Sequence, residues 1–350
     1  MIRRKAVLAG WVLLWNVEWS RAAEPRPIAE LSLDTLVTTQ VRDASPAFLS
    51  DDSISLLIRS RASGTNGSVL AVLRLAENKL QTVSSVSRSD GATNILAASG
   101  QRMLVWSQRN TTLYSSDLRR QWTVPMRKRL LARSFSRSGV IGEWDGNGWD
   151  VVRLSPGMSD VRGGTGQLLS LSDDVMVVRR DDIVRVETPD GRLLGSIAVP
   201  ADTRGAPIAE VAGPGRLFLD LGNASRIVDF GGRSISIISR PQGWGFRRGW
   251  SSDGSRVLFD HYTRRASLLE RVIDSIGSVL IPVPEESTGE TVTVVDTSTG
   301  QVCFRLGDSS LAFGTAGQMH ADISPSGRLV GIATLTKFAL YSLPETCSGT

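Results

Sequence analysis

The chain has 350 residues, of which 41% are hydrophobic and 21% charged, and its mean hydropathy is −0.04. This composition fits a globular chain with a large core, and it excludes a disordered chain and a polytopic membrane protein. Two cysteines and two histidines exclude a disulfide-dense scaffold and leave almost no ligands for a zinc site. We therefore expect neither a metal nor a cofactor.

The N-terminus has the features of a secretory signal peptide. Arg3, Arg4 and Lys5 precede an apolar run over residues 6–15, and small residues occupy positions 20 and 22. The run is half of the roughly 20 residues that a membrane-spanning helix needs. We predict cleavage after residue 22, a secreted or periplasmic mature chain, and no stable membrane anchor after cleavage.

The basic charge does not indicate nucleic-acid binding. Four of the residues behind the net charge of +5 lie in the leader, and only four lysines accompany the scattered arginines, a usage typical of a GC-rich bacterial genome. Nucleic-acid binding needs a clustered basic stripe with interleaved aromatic residues, and only short clusters such as residues 127–129 occur. No nucleic-acid partner is expected.

A turn of Ser, Asp and Gly type recurs seven times between runs rich in Val, Ile, Leu and Phe. The first six turns are 35 to 48 residues apart, close to the length of a four-stranded propeller blade, and the last interval is longer. The turns begin at Ser50, Ala98, Ser136, Leu171, Ala212, Ser251 and Ser324. The spacing predicts seven blades, with an insertion at about residues 264–290 in blade six.

A second turn class lies out of phase with the first and joins the third and fourth strands of the first six blades. Its members lie at residues 76–78, 115–117, 155–157, 189–191, 231–232 and 297–300. Blade seven lacks an outer strand, whereas residues 28–34 alternate like a half-buried strand before blade one. The sequence therefore predicts an all-β fold, a single seven-bladed β-propeller over residues 23–350, with the ring closed by the N-terminal strand in the last blade.

The two cysteines fall on neighbouring blades. Cys303 lies on the outer strand of blade six and Cys347 follows the last strand of blade seven. In an exported protein this placement predicts a disulfide between them. Two free buried thiols are the alternative.

Two stretches resemble the repeats of WD40-like and TolB-like bacterial propellers. They are Trp250–Phe259, with the sequence WSSDGSRVLF, and Ala321–Ala333, with ADISPSGRLVGIA; residues 294–301, VVDTSTGQ, are similar to the hairpin that ends a WD40 blade. Within these stretches the Gly-His and Trp-Asp dipeptides of true WD40 repeats are missing. The resemblance implies a propeller that serves as a scaffold for partners, and it transfers no catalytic residue.

The sequence offers few groups for catalysis. Nucleophilic catalysis needs a base held against Ser or Cys, and His261 and His320 are the only histidines. A structural role is favoured for both, although His261 is followed by Tyr262 and Arg264 in a polar cluster. We predict no catalytic residue.

The distinctive loops all belong to the face opposite the seven repeated turns, around the mouth of the channel. Trp and Arg predominate at binding hot spots because they combine a large contact area with a polar group. The predicted binding residues are Trp144, Trp149, Trp244, Arg247, Arg248, His261 and Arg264. The predicted function is a non-catalytic scaffold that binds a protein or small ligand there. The alternative is a hydrolase or lyase that acts on a saccharide or peptide at the channel mouth.

Overall fold

The computed structural model describes most of the chain between residues 25 and 347. The described ranges are 25–60, 67–88, 92–99, 102–107, 110–125, 132–135, 140–144, 148–153, 161–172, 174–200, 208–220, 225–238, 244–264, 288–307 and 319–347. The predicted signal peptide lies outside them. In these ranges, no helix has the length and apolar character needed to cross a membrane.

The strands form seven four-stranded antiparallel sheets, which we call blades one to seven. Blades one to three contain β2 Val41–Phe48, β3 Ser53–Ser60, β4 Ser68–Ala76, β5 Lys79–Arg88; β6 Ala92–Ser99, β7 Arg102–Ser107, β8 Asn110–Ser115, β9 Arg120–Pro125; and β10 Ala132–Phe135, β11 Val140–Trp144, β12 Gly148–Arg153, β13 Val161–Thr165. Blades four and five contain β14 Gln167–Leu171, β15 Met176–Arg180, β16 Ile183–Glu187, β17 Leu193–Ala198; and β18 Ile208–Val211, β19 Arg216–Asp220, β20 Ser225–Asp229, β21 Ser234–Ile238. Blade six contains β22 Trp244–Trp250, β23 Arg256–Arg264, β24 Thr288–Asp296 and β25 Val302–Gly307; blade seven contains β26 His320–Ile323, β27 Leu329–Ala333, β28 Lys337–Ser342 and β1 Ala29–Ser32.

The predicted blade plan is confirmed. Each turn of the first class falls between the first and second strands of a sheet, and each turn of the second class falls between a third strand and a fourth. The turns at residues 136–139 and 155–157 themselves lie outside the described residues. The insertion predicted at about residues 264–290 falls between Arg264, the last residue of β23, and Thr288, the first residue of β24. The connection itself, residues 265–287, lies outside the described residues.

The N-terminal strand completes the last blade, as predicted. β1 pairs antiparallel with β28, with Ala29 opposite Leu340 and Ser32 opposite Lys337. A 3-10 helix at Leu33–Thr35 then leads the chain toward blade one, and Leu33 is fully buried. One apolar cluster contains residues of both blade seven and blade one, among them Phe338 and Phe48. The first and last strands in the described part of the chain thus belong to the same sheet.

The core lies between the blades, because the inner strands are buried on both faces. Successive side chains of a strand point to opposite sides of its sheet. In β19, Leu217 and Leu219 pack in a cluster with blade four, whereas Phe218 packs in a cluster with blade six. In β23, Leu258 likewise packs toward blade seven and Phe259 toward blade five. This explains why the strands read as continuous apolar runs.

The turns between first and second strands of blades five, six, seven and one contact one another. Ser252 N donates to the carbonyl oxygen of Pro325 at 2.7 Å, and Ser326 N donates to Asp51 Oδ1 at 3.0 Å. Gly254, with φ +69°, lies so close to blade five that a Cβ on it would overlap the carbonyl oxygen of Ala212. The repeated Ser, Asp and Gly residues therefore join blades as well as close turns.

A β-bulge recurs in the outer strands of five blades. The register against the third strand shifts after the first residue pair beyond the hairpin in blades two, four, five and six, and after the fourth pair in blade one. Each shift leaves one residue without a partner opposite it: Val83, Gln121, Leu194, Ile235 and Cys303. Bulges interrupt an exposed sheet edge and discourage pairing with another chain. In blade six the bulged residue is Cys303, which forms the predicted disulfide with Cys347, at a Cα–Cα distance of 4.6 Å.

Candidate functional site

The strand connections divide the propeller into two faces. The first-to-second turns and third-to-fourth hairpins leave one end of the sheets, which we call the turn face. The second-to-third connections and the connections to the next blade leave the opposite end, the loop face, because neighbouring strands are antiparallel. The second-to-third connections are residues 61–67, 108–109, 145–147, 181–182, 221–224, 265–287 and 334–336.

Five of the seven predicted binding residues lie on two paired strands of blade six. Trp244, Arg247 and Arg248 belong to β22, and His261 and Arg264 belong to β23. The register places Trp244 opposite Tyr262 and Arg247 opposite Asp260. Trp244 begins its strand and Arg264 ends the neighbouring one, so both are at the loop-face edge. The assignment of these five residues to a binding surface stays a prediction.

The other two predicted residues, Trp144 and Trp149, lie opposite each other in blade three. The indole of Trp149 is 1% exposed, and its Nε1 donates to the carbonyl oxygen of Thr165 at 3.1 Å. It lies across Gly164 of the next strand, where a Cβ would overlap the ring, and Arg162 stacks on it. Trp149 therefore packs in the joint between blades three and four and offers no exposed surface to a ligand.

A buried polar cluster, which the sequence pattern did not predict, joins blades six, seven and one. His320 Nε2 lies 2.6 Å from Asp43 Oδ1, and His320 Nδ1 lies 3.9 Å from Asp260 Oδ2. Asp43 also pairs with Arg59 of the neighbouring strand. Asp43, Asp260 and His320 are all buried. The neighbours of His320 are thus side-chain carboxylates of blades one and six, and its structural role stays a prediction.

Asp322, two residues after His320, is a second carboxylate at the same joint. Its Oδ2 accepts a hydrogen bond from the backbone N–H of Phe48 at 2.8 Å. Burial raises the pKa of Asp322 to about 6, and the backbone hydrogen bonds that it accepts only partly offset this effect. A carboxyl group that titrates near neutral pH is a feature of acid–base sites, but here it is committed to contacts between blades.

The arrangement of these groups suits packing rather than a reaction. The polar side chains that meet at the joint pair with one another or with backbone groups of the neighbouring blade. Among the residues that the structure describes, no group of three or more His, Cys, Asp or Glu side chains could hold a metal ion. The described loop-face edge of blade six is the remaining place where predicted functional residues come together.

Comparison with known proteins supports the fold. No family model and no curated protein matches the sequence. Among solved structures, Hsv2 of Kluyveromyces lactis is similar with a TM-score of 0.52 and 11% identity, over 87% of this chain and 99% of that chain.

Two WD40 domains are similar to the same degree. The WD40 domain of SCAP from fission yeast matches with a TM-score of 0.50 and 10% identity, over 91% of this chain and 97% of that chain. The Pan2 WD40 domain of Neurospora crassa matches with a TM-score of 0.50 and 12% identity, over 93% and 97%. At these identities the likeness concerns the fold, and the chain has the architecture of a WD40-like seven-bladed propeller.

Proposed function

We propose that this chain is an exported, non-catalytic scaffold that binds a protein or a small ligand on the loop face, at blades six and seven. The observation that supports this proposal is the position of the long connections between the strands of the propeller. The two longest connections, residues 265–287 and 308–319, leave the loop face from adjacent blades. Binding residues are concentrated in loops held by a rigid scaffold, and a propeller provides such a scaffold.

The two faces of the propeller differ in what they can offer a partner. Turns of four neighbouring blades are short and are fixed to one another by backbone contacts such as Ser252 N to Pro325 O. On the loop face, Trp244 begins β22 and Arg264 ends the neighbouring strand β23, just before the connection at residues 265–287. Trp and Arg predominate at binding hot spots, so these positions favour recognition on this face.

The described contacts favour a scaffold over an enzyme. A hydrolase or lyase needs titratable groups that converge on an accessible site. His320, Asp43 and Asp260 converge, but they are buried between blades. Their contacts with one another account for their presence without a substrate.

The binding face can be tested by affinity capture from an envelope extract of the native host. The baits are the chain from residue 23, a variant with residues 266–286 replaced by a short Gly/Ser turn, and a turn-face control with Arg102→Ala and Arg328→Ala, both exposed residues. We expect one specific partner to be retained by the first and third baits and lost from the second. Equal retention by all three baits would place the site elsewhere, and retention of nothing by the first bait would exclude a stable protein partner.

Export is tested separately. We expect the chain in the periplasm or medium, with its N-terminus near residue 23 by terminal sequencing. Recovery of the uncleaved 37.8 kDa chain from the cytoplasm would contradict export.

A further inference from the structure

The chain after the last strand crosses from blade seven back to blade six. Leu343 is buried in the cluster between these blades, and its N–H donates to the carbonyl oxygen of Arg328 at 2.8 Å. Pro344, Glu345 and Thr346 are exposed, and Cys347 then reaches Cys303 on the outer strand of blade six. We call Pro344–Cys347 the C-terminal strap.

A disulfide and a set of side-chain hydrogen bonds hold this strap. One is the Cys303–Cys347 disulfide. The other is Arg256 of β23, whose side chain donates to the carbonyl oxygens of Pro344 and Glu345, the latter at 3.1 Å. Arg256 is 7% exposed and also donates to the carbonyl oxygen of Gly327 at 2.9 Å. The guanidinium is thus closed between the turn of blade seven and the strap.

The strap adds no buried side chain to the core. The side chains of residues 344–346 are exposed, and the apolar cluster between blades six and seven ends at Leu343. Loss of the strap would therefore remove little buried apolar area, which is the main favourable term in folding. Both cysteines are only partly buried, so a small thiol reagent can reach the disulfide.

We propose that the disulfide is a reversible lock on the C-terminal strap, so that its reduction releases the strap and uncovers Arg256 while the seven blades stay folded. A dithiol reductant attacks the Cys303–Cys347 bond as a thiolate. The S–S bond breaks, both cysteines become thiols with two electrons and two protons taken up, and the reductant becomes a cyclic disulfide. Reoxidation by a disulfide of the same class reverses the exchange.

The disulfide and the Arg256 hydrogen bonds have different roles in holding the strap. Arg256 loses two of its three carbonyl acceptors when the strap leaves, so its hydrogen bonds favour return of the strap after reduction. Since the disulfide and the Arg256 hydrogen bonds hold the same segment, the effects of losing them on strap release should not be additive. Arg256→Met keeps the length of the side chain and removes the donors. We expect this variant to hold the strap when oxidised, and to release it more fully than wild type when reduced.

The test is cleavage after Glu345 by a Glu-specific endoproteinase, measured on the purified full-length chain by mass spectrometry of denatured, reduced samples. A protease needs a locally unfolded segment, so the cleavage rate reports release. We expect dithiol treatment to raise the rate by roughly tenfold and reoxidation to restore it. Cleavage after Glu77, an exposed hairpin residue of blade one, should not change.

Two controls separate the outcomes. Cys303→Ser with Cys347→Ser should be cleaved rapidly without reductant and should not respond to it. Far-UV circular dichroism should be unchanged on reduction. The proposal is overturned if cleavage stays slow once both thiols are counted as free, if reduction unfolds the propeller, or if the disulfide of the folded protein resists the dithiol.

Discussion

His320 Nε2 lies 2.6 Å from Asp43 Oδ1, and this contact joins the first residue of β26 in blade seven to β2 in blade one. Asp260 of blade six lies on the other side of the imidazole. Three blades therefore meet at one buried histidine, beside the sheet in which β1 and β28 bring the two ends of the chain together. Removing the imidazole takes away the group that lies between the buried carboxylates of Asp43 and Asp260.

His320→Leu should lower the free energy of unfolding by about 2–4 kcal/mol, because Asp43 and Asp260 lose the group between them while Arg59 remains on Asp43. Urea unfolding measures the loss. The matched control is Lys337→Ala, which removes an exposed ion pair with Glu30 and should cost about 0–1 kcal/mol. Equal losses in the two variants would show that the buried cluster does not stabilise the joint.

Asp322→Asn should change how stability depends on pH. The pKa of Asp322 is about 6 in the folded chain and 3.8 in the unfolded chain, so the folded state disfavours the charged form. The cost is absent below pH 4, develops between pH 4 and 6, and is fully present above pH 6. The amide oxygen can still accept from Phe48 N without a charge.

We therefore expect Asp322→Asn to gain about 1–3 kcal/mol relative to wild type between pH 4 and 7.5. Thermal unfolding of both proteins at pH 4 and at pH 7.5 measures how the stability difference between them changes with pH. Any cost of the amide that does not depend on pH cancels in this comparison. A difference that stays the same at both values would show that Asp322 is not penalised by burial.

The blade plan could be predicted because each repeat closes its turn with local chemistry. In the turn of blade six, Ser251 Oγ donates to Asp253 Oδ1 at 2.7 Å, and Gly254 adopts the left-handed conformation that follows. Such contacts involve neighbours in sequence, so the residue types report them directly. The predicted disulfide also followed from the plan, since the blade count places Cys303 and Cys347 on adjacent blades.

The buried cluster could not be predicted in the same way. His320, Asp43 and Asp260 come from three blades, and their meeting depends on which faces of the strands pack together. Trp149 shows the same limit in reverse. Its burial depends on Gly164 of the neighbouring strand, which makes room for the indole, and composition alone does not reveal this pairing. Contacts between neighbours in sequence thus allow the turns to be predicted. Contacts between sheets depend on how the sheets pack, which the sequence pattern does not show.

Gly254→Ala should destabilise the chain far more than Gly215→Ala. The two glycines have nearly the same φ, +69° and +68°, so an alanine in the left-handed conformation is strained to the same degree at both positions. Gly215 has nothing within 4 Å of an added Cβ, whereas at Gly254 the Cβ would overlap the carbonyl oxygen of Ala212. We expect a loss of about 1–2 kcal/mol for Gly215→Ala.

Gly254→Ala should cost at least about 2 kcal/mol more, because the turn of blade six must move away from blade five. Urea midpoints of the two variants, compared with wild type, measure the difference. Similar losses would mean that the contact between the turns adapts without cost.

Arg162→Lys should destabilise the joint between blades three and four although it keeps the charge. Arg162 donates to the carbonyl oxygens of Thr188 and Pro189 at 3.2 and 3.1 Å and to Glu187 Oε2 at 3.1 Å. It also stacks on Trp149, with its guanidinium carbon 5.3 Å from the ring centroid. A lysine ammonium has neither the fork that reaches these acceptors together nor the flat surface for stacking.

The expected loss for Arg162→Lys is about 1–3 kcal/mol in urea unfolding, since the buried Glu187 keeps Arg185 but loses its second partner. Arg119→Lys is the control, because Arg119 and Asp117 form an ion pair that is largely exposed. It should leave the stability nearly unchanged, because solvent screens an exposed pair. If Arg162→Lys were as stable as this control, charge alone would account for the contact, and neither the fork nor the stacking on Trp149 would hold the two blades together.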